Sequence, residues 1–224
     1  MLLAPFCQFQ PSSPIKSAFS LAGLAELERQ IKITVKVKIK NIMRICGNEL
    51  PSLYDIVGDH TAQIVLIHCR LVFTRKIEQA IVDGSLEEVK EEFEAYTRKL
   101  QKHQSDSEQE RLIIENLLIE ISDQLKTIVI LINAKCRSIH NFVWTSQLRY
   151  YWANEDVYIR VYNLNILYGY EYVSVNSPFI MTPIIRKVHR ELMTFQSQGY
   201  AGMFTCLRKN TTYTTNKHTA QTFI

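Results

Sequence analysis

Gln147-Leu-Arg-Tyr-Tyr-Trp-Ala-Asn-Glu-Asp-Val-Tyr-Ile-Arg-Val-Tyr162 is the stretch on which the fold turns. Its two halves are rich in β-branched and aromatic side chains, which fit a pleated surface. Ala153-Asn-Glu-Asp156 between them supplies turn residues. The pattern predicts an antiparallel hairpin, with a third short strand before Tyr172. Ten of the chain's Phe, Trp and Tyr residues fall between positions 142 and 172. Aromatics at strand spacing pack on one another, so a β-core is expected, with Trp144, Trp152 and several tyrosines holding it against helices. The rival reading is a stacking platform for single-stranded nucleic acid. Arg149 and Arg160 are outnumbered there by Glu155, Asp156 and Glu171, and a net negative surface repels phosphates. No nucleic-acid partner is expected.

Upstream the period changes from two to about 3.6. Ala62–Val82 carries apolar rows at Val65, Cys69, Val72, Ala80 and at Ile64, Leu71, Ile81, and reads as a helix. Asp83-Gly84 closes it, because glycine takes the left-handed conformation at little cost. Ser85-Leu-Glu-Glu88 and Ser107-Glu-Gln-Glu110 each have the form of a capping box. The first opens a helix with Leu86, Val89, Phe93, Tyr96 and Leu100 on one stripe, and the second a helix running to about Lys135. Turns this short impose antiparallel packing on neighbouring helices. The stretch from Leu24 to Ile42 fits two periods. Ile31, Ile33, Val35, Val37 and Ile39 alternate as in a strand, while Leu24, Leu27, Ile31, Val35 and Ile42 fit one helical stripe. Downstream, Ser177-Pro178 and Pro183 end the sheet, and Ile184–Met193 resumes as a helix. Pro5, Pro11 and Pro14 mark residues 1–23 as a disordered lead-in, and Asn210-Thr-Thr-Tyr-Thr-Thr-Asn216 lies in a polar tail without periodicity. The fold class expected is mainly α: an antiparallel helical array with a small C-terminal β-hairpin element and disordered termini.

The chain has 224 residues, 46% of them hydrophobic, enough to bury a core of one or two domains. Its net charge of +4 names no partner, but the charge is segregated. Residues 29–44 hold six Lys/Arg and no acid, and residues 83–110 hold nine acids against four bases. Such runs read as solvated helix faces. Cys7, Cys46, Cys69, Cys136 and Cys206 are scattered and form no CxxC pair, as expected of free thiols in a reducing compartment. Cys136 with His140, and His68 with Cys69, are the only spacings that suggest a metal; a zinc site needs about four ligands, so core or surface roles are expected instead. Thr127–Ala134, the longest strongly apolar run, is far short of the about 20 residues a membrane span needs. A soluble, cytosolic protein without membrane partners is expected.

Trp144, Gln147-Leu-Arg-Tyr-Tyr-Trp152, Tyr168-Gly-Tyr-Glu-Tyr172 and Met181-Thr-Pro183 occur in this order. Together they resemble the junction in dynein heavy chains where the mechanical linker runs into the first AAA+ ATPase module. Looser matches lie upstream, at Leu27-Glu28, Gln63-Ile-Val-Leu66 and Phe73-Thr-Arg75, so the resemblance covers roughly residues 24–195. It implies a linker helix after Leu24, a helical linker region over 24–141, an aromatic hairpin at the linker end over 142–167, and a truncated start of the AAA+ module over 168–200. Residues 201–224 have no match. Val157-Tyr-Ile-Arg160 is closer to axonemal inner-arm chains than to the cytoplasmic motor.

In that family ATP-driven change in the ring swings the linker along a microtubule, and this chain would supply the linker segment. A P-loop needs glycines to cradle phosphate, a lysine and a Ser/Thr for Mg²⁺. No Gly-Lys pair occurs anywhere, and the window where the loop is due reads Cys206-Leu-Arg-Lys-Asn-Thr-Thr212. ATP and Mg²⁺ are therefore cofactors of the complete family member, with none implied for this chain, which is not expected to be an enzyme alone. By resemblance Ile180, Met181, Thr182 and Pro183 lie beside the adenine of the module's nucleotide; the plainer reading is a strand edge and helix cap. The resemblance further implies intermediate and light chains and, through the full-length motor, microtubules as partners, in the cytoplasm, cytoskeleton and ciliary axoneme. The alternative is a non-enzymatic helical interaction protein, a remnant derived from a dynein. Without the rest of the module, Phe179, Ile180, Ile184, Ile185 and Leu192 are expected to leave an apolar face partly exposed.

Overall fold

The computed structural model describes residues 21–47, 49–52, 60–104, 107–173 and 182–200; the lead-in, the tail and residues 174–181 lie outside the described residues. The described part is mainly helical: α1 (Leu21–Cys46), α2 (Ala62–Asp83), α3 (Leu86–Lys102), α4 (Glu108–Asn133), the single turn α5 (Phe142–Thr145) and α6 (Pro183–Ser197). Between α5 and α6 a three-stranded antiparallel sheet runs in the order β1 (Arg149–Ala153), β2 (Asp156–Val161), β3 (Leu164–Leu167). Mainly α with a small antiparallel sheet is the class the sequence predicts.

α1 is a helix. Val35, Ile39 and Ile42, spaced by four and three, are buried, while Ile33 and Val37 face water. A strand would put Ile31, Ile33, Val35, Val37 and Ile39 on one face; the helical stripe wins because its partner, α2, offers a matching stripe of Ile64, Ile67 and Leu71. Leu24, placed on the stripe by its spacing, is 55% exposed, so burial starts further along.

α2 sits at the centre. Every residue from Gln63 to Cys69 is buried, which an amphipathic surface helix never shows. One side packs into a helical core with Phe93, Leu100, Leu117, Ile121, Ile128 and Leu131. The other packs into a second core with α1 and with Tyr150, Val157, Ile159, Tyr168 and Tyr170. Trp144, expected to anchor the hairpin, belongs instead to the helical core, where Phe73 meets Phe93 edge-on at 5.7 Å and Trp144 at 6.3 Å. It stands on α5, ahead of the sheet. Trp152 is only half-buried at the edge of the second core.

Gly84 closes α2 with φ +76°, and its N–H bonds the Ala80 carbonyl. The two capping boxes do not form: neither the Ser85 nor the Ser107 hydroxyl makes a cap bond. With only Gly84 and Ser85 between α2 and α3, Ser85 is held at φ −102°, ψ 30°, away from the extended geometry a capping side chain needs. In the hairpin Asn154 and Glu155 both take positive φ (52° and 61°), the twist-matched two-residue turn, and Tyr150 faces Ile159 across the strands.

Candidate functional site: a polar seam between helices and sheet

Among the polar residues of α2, Gln63, Arg70, Thr74 and Glu78 bond to the sheet or to the segment after it, and the last three recur at the four-residue spacing that stacks side chains on one face. Each reaches the sheet side. The Thr74 hydroxyl accepts the β1 backbone N–H of Tyr150 at 3.0 Å while donating to the Arg70 carbonyl. Arg70 forks onto Glu120 of α4 (Nε 3.0 Å, Nη2 2.8 Å), and its third arm donates to the Tyr150 hydroxyl at 3.2 Å with the guanidinium over that ring. Arginine suits this place because its planar fork satisfies a carboxylate and an aromatic face together. Glu78 accepts from the indole N–H of Trp144 at 3.2 Å and from the Tyr151 hydroxyl. Arg149 also donates to that hydroxyl, at 3.1 Å, and Arg160 stacks over the Tyr151 ring.

Gln63 makes the fourth tie. Its amide nitrogen donates to the Tyr168 hydroxyl at 2.8 Å and the Glu171 carbonyl at 2.6 Å, and its oxygen accepts the Val173 N–H at 3.1 Å. One buried side chain thus serves residues 168–173 as a neighbouring strand would. Within that segment Tyr170, at φ +57°, accepts the Val157 N–H at 2.8 Å and donates to Asp156 at 3.0 Å.

The basic run of α1 closes the sheet's far side. Lys32 reaches Glu171 at 3.2 Å, Lys36 pairs with Asp156, and Lys40 pairs with Glu155 at 2.6 Å. Read from sequence as a solvated face, this run in fact meets three carboxylates around the hairpin turn and the 168–173 segment. The expectation fails because the acids that attract it are more than a hundred residues away in the chain.

The seam's chemistry is structural. Burial, with the Glu78 hydrogen bond second, pushes the Tyr151 phenol up to about 12, and burial pushes Tyr168 to about 12 and Tyr170 higher still. Tyr150 is raised by the same cause. All four stay protonated at neutral pH, with Tyr150 and Tyr168 accepting and Tyr151 and Tyr170 donating to carboxylates. Burial likewise pushes the Cys69 thiol up to about 12, and it donates to Gln124 at 3.6 Å, so no activated nucleophile stands here. Cys136 is buried with its thiol on the Ser138 carbonyl, whereas His140 is exposed. Among the described residues no three His, Cys, Asp or Glu side chains converge on a metal position, and no helix is long and apolar enough to cross a membrane.

Beside the seam lies a cavity of about 190 Å³, walled by α2, α4, the sheet and α6, with Arg70, Glu120, Asp123, Gln124, Tyr150 and Arg186 among its lining. Arg186 bridges it: Nη1 donates to Thr127 at 3.3 Å and Gln147 at 3.1 Å, and Nη2 pairs with Asp123. Burial is the chief influence on Asp123 and raises its carboxyl in spite of that arginine.

Of the four residues given an adenine-side role, Ile180 and Met181 lie outside the described residues. Thr182 and Pro183 are exposed at the start of α6, where the Thr182 hydroxyl accepts the Ile185 N–H at 3.3 Å. Pro183 occupies the first helical position, which needs no N–H. The structure does not bring these two into the seam. The seam itself is legible in part: Arg70, Thr74 and Glu78 recur at one four-residue spacing along the helix. Nothing local distinguishes Gln63 from an ordinary surface glutamine.

No protein-family model matches the chain. It is similar to dynein axonemal heavy chain 1 of Rattus norvegicus, 26% identical over 193 residues, which is 80% of this chain and 4% of that protein. The Homo sapiens heavy chain 1 is 28% identical over 179 residues, 75% of this chain and 4% of its own length. Dynein axonemal heavy chain 3 of Mus musculus is 22% identical over 192 residues, 80% of this chain and 5% of its length. The chain thus spans only a twentieth or less of these relatives. Similarity to several axonemal heavy chains over most of the chain supports a dynein heavy-chain relationship.

Proposed function

We propose that residues 24–195 form the force-coupling part of an axonemal dynein heavy chain, the end of the mechanical linker joined to the first elements of the first AAA+ module. On this reading α1–α4 are linker helices (24–141), the aromatic hairpin ends the linker (142–167), and 168–200 opens the ATPase module. The observation that carries it is the seam, which binds Tyr168–Val173, on this reading the first residues of the module, to the central helix through Gln63. A coupling element must pass displacement without yielding, and buried polar networks gain rigidity as their groups find partners; in the seam Arg149 keeps one buried N–H, at Nε, without a hydrogen bond. The polypeptide itself supplies no ATP-hydrolysing site, and Ile180, Met181, Thr182 and Pro183 contribute to the adenine side only within the complete module. Intermediate chains, light chains and the microtubule are then partners of the whole motor in the axoneme.

A chimera tests this. Residues 24–195 replace the matching segment of an axonemal heavy chain, and ATP turnover and microtubule gliding are measured together. Both activities should persist with the intact segment; Gln63→Leu should slow gliding severalfold while ATP turnover survives, because chemistry is spared and coupling is not. The purified chain alone should turn over no ATP. A chimera that hydrolyses ATP without moving microtubules, seam intact, would refute the coupling role and favour a dynein-derived interaction protein.

A further inference from the structure

α6 is attached differently from every other long helix described here. Arg186 ties it to Asp123 and Thr127 of α4 and to Gln147 ahead of β1. Its apolar anchorage is partial: Met193 is buried, Ile185, Val188 and Leu192 are only half-buried, Ile184 is 76% exposed and Phe195 47%. Packed helices hide a continuous apolar stripe, as α2 and α4 do and α6 does not. Beneath it, Arg186, His189, Arg190 and Met193 form one wall of the 190 Å³ cavity, so part of its inner face meets open space instead of side chains.

We infer that α6 is a detachable cover over this cavity, held shut by the Arg186 clasp, and that it opens as a unit while α2–α4 and the sheet stay folded. Segments open below the global unfolding free energy where few apolar contacts are buried. The Arg186 and Asp123 side chains keep 21% and 27% exposure, so water reaches the clasp and can take over its hydrogen bonds as it parts. Opening would bare Gln124 and Glu120 on α4, and with them the Arg70 pair that anchors the seam. The inference concerns this chain whatever assembly it serves, so its failure would leave the coupling role standing.

Amide hydrogen exchange of the full chain tests it. In the wild-type protein, α6 amides should exchange faster than those of α2 and with a smaller dependence on dilute denaturant, the mark of a local opening. Arg186→Gln and Asp123→Asn should each speed α6 exchange about tenfold or more, as expected for losing a charged hydrogen bond. The amides of residues 64–80 should keep their protection. The double variant should be no faster than the faster single one, since both cut the same clasp. Three results overturn the inference: α6 and α2 sharing one protection level and one denaturant slope in the wild type, single variants leaving α6 exchange unchanged, or variants that release α2 and α6 together, including any that fail to fold.

Discussion

Gln63 shows how much one side chain carries when its partners are backbone. Replacing it with leucine keeps the volume but strands the Tyr168 hydroxyl, the Glu171 carbonyl and the Val173 N–H. A buried polar group without a partner costs about 1–3 kcal/mol, and water will rescue some of the three, so we expect Gln63→Leu to lower stability by about 2–4 kcal/mol in urea denaturation. Tyr168→Phe removes one partner of the three and should cost about 1 kcal/mol. His189 makes a different prediction. It is buried on α6 in the wall of the cavity that Arg70, Glu120, Asp123, Tyr150, Tyr168, Arg186 and Arg190 also line, and burial holds its pKa below the usual histidine value. The imidazole is thus neutral in the fold, while the unfolded chain takes up a proton near about pH 6.5. Its contribution to stability is complete above that pH and is lost as pH falls toward the folded value, by at most about 1.4 kcal/mol per pH unit. Asp123, raised by burial, works in the opposite sense: its contribution is present at acid pH and lost as pH rises through its folded value. The test is therefore a difference. His189→Leu should flatten the fall in thermal midpoint between pH 7 and 5 relative to wild type; an unchanged slope would place the titration elsewhere.

α1 meets α2 and the sheet through a mixed surface, an apolar stripe of Val35, Ile39 and Ile42 in the core they share, flanked by Lys32, Lys36 and Lys40 on the sheet's carboxylates. The three lysines are more than a third exposed, so each pair is worth about 0–1 kcal/mol and the apolar stripe supplies most of the attachment. Their value lies in register: α1 turned by one residue would lose the lysine row and the buried stripe together. Reversing all three to glutamate puts like charges opposite Glu155, Asp156 and Glu171. We expect a loss larger than three neutral Gln substitutions cause, shrinking as salt rises toward 1 M, where the Debye length is about 3 Å. Equal losses in both variants at all salt concentrations would show that the pairs only decorate the contact.

Taken whole, the described protein is two cores sharing α2, with one helix, α6, clasped to the outside. The apolar face expected near the end of the chain is partly there: Ile184, Phe195 and Tyr200 are exposed, Ile185 and Leu192 half-buried, and Phe179 and Ile180 lie outside the described residues. Exposed apolar groups on one helix promote association. We predict that Ile184→Lys, at a position 76% exposed, leaves the thermal midpoint within about 1 °C and shifts sedimentation toward monomer; unchanged self-association would mean the row is not the contact.

Local pattern alone settled much of this protein. Helical periods from Ala62 to about Lys135, glycine at position 84, the Asn154-Glu155 turn and the proline at 183 each act through neighbours a few residues away, and each stands where the sequence placed it. The order of blocks from Trp144 to Pro183 also carried the family resemblance by itself. What the chain's own neighbourhood left open was decided by surfaces brought from afar. The 24–42 stretch satisfied two periods equally until the stripe on α2 selected the helix. The serine at 85 had the right neighbours for a capping box, but the two-residue link from α2 imposed another backbone angle. The seam was least legible, because the bonds that α2 makes in it span 50 to 110 residues and nothing beside Gln63 in the chain marks the partners it finds. Periodicity reports which side of an element is apolar; only packing determines which distant backbone or carboxylate a polar side chain will find there.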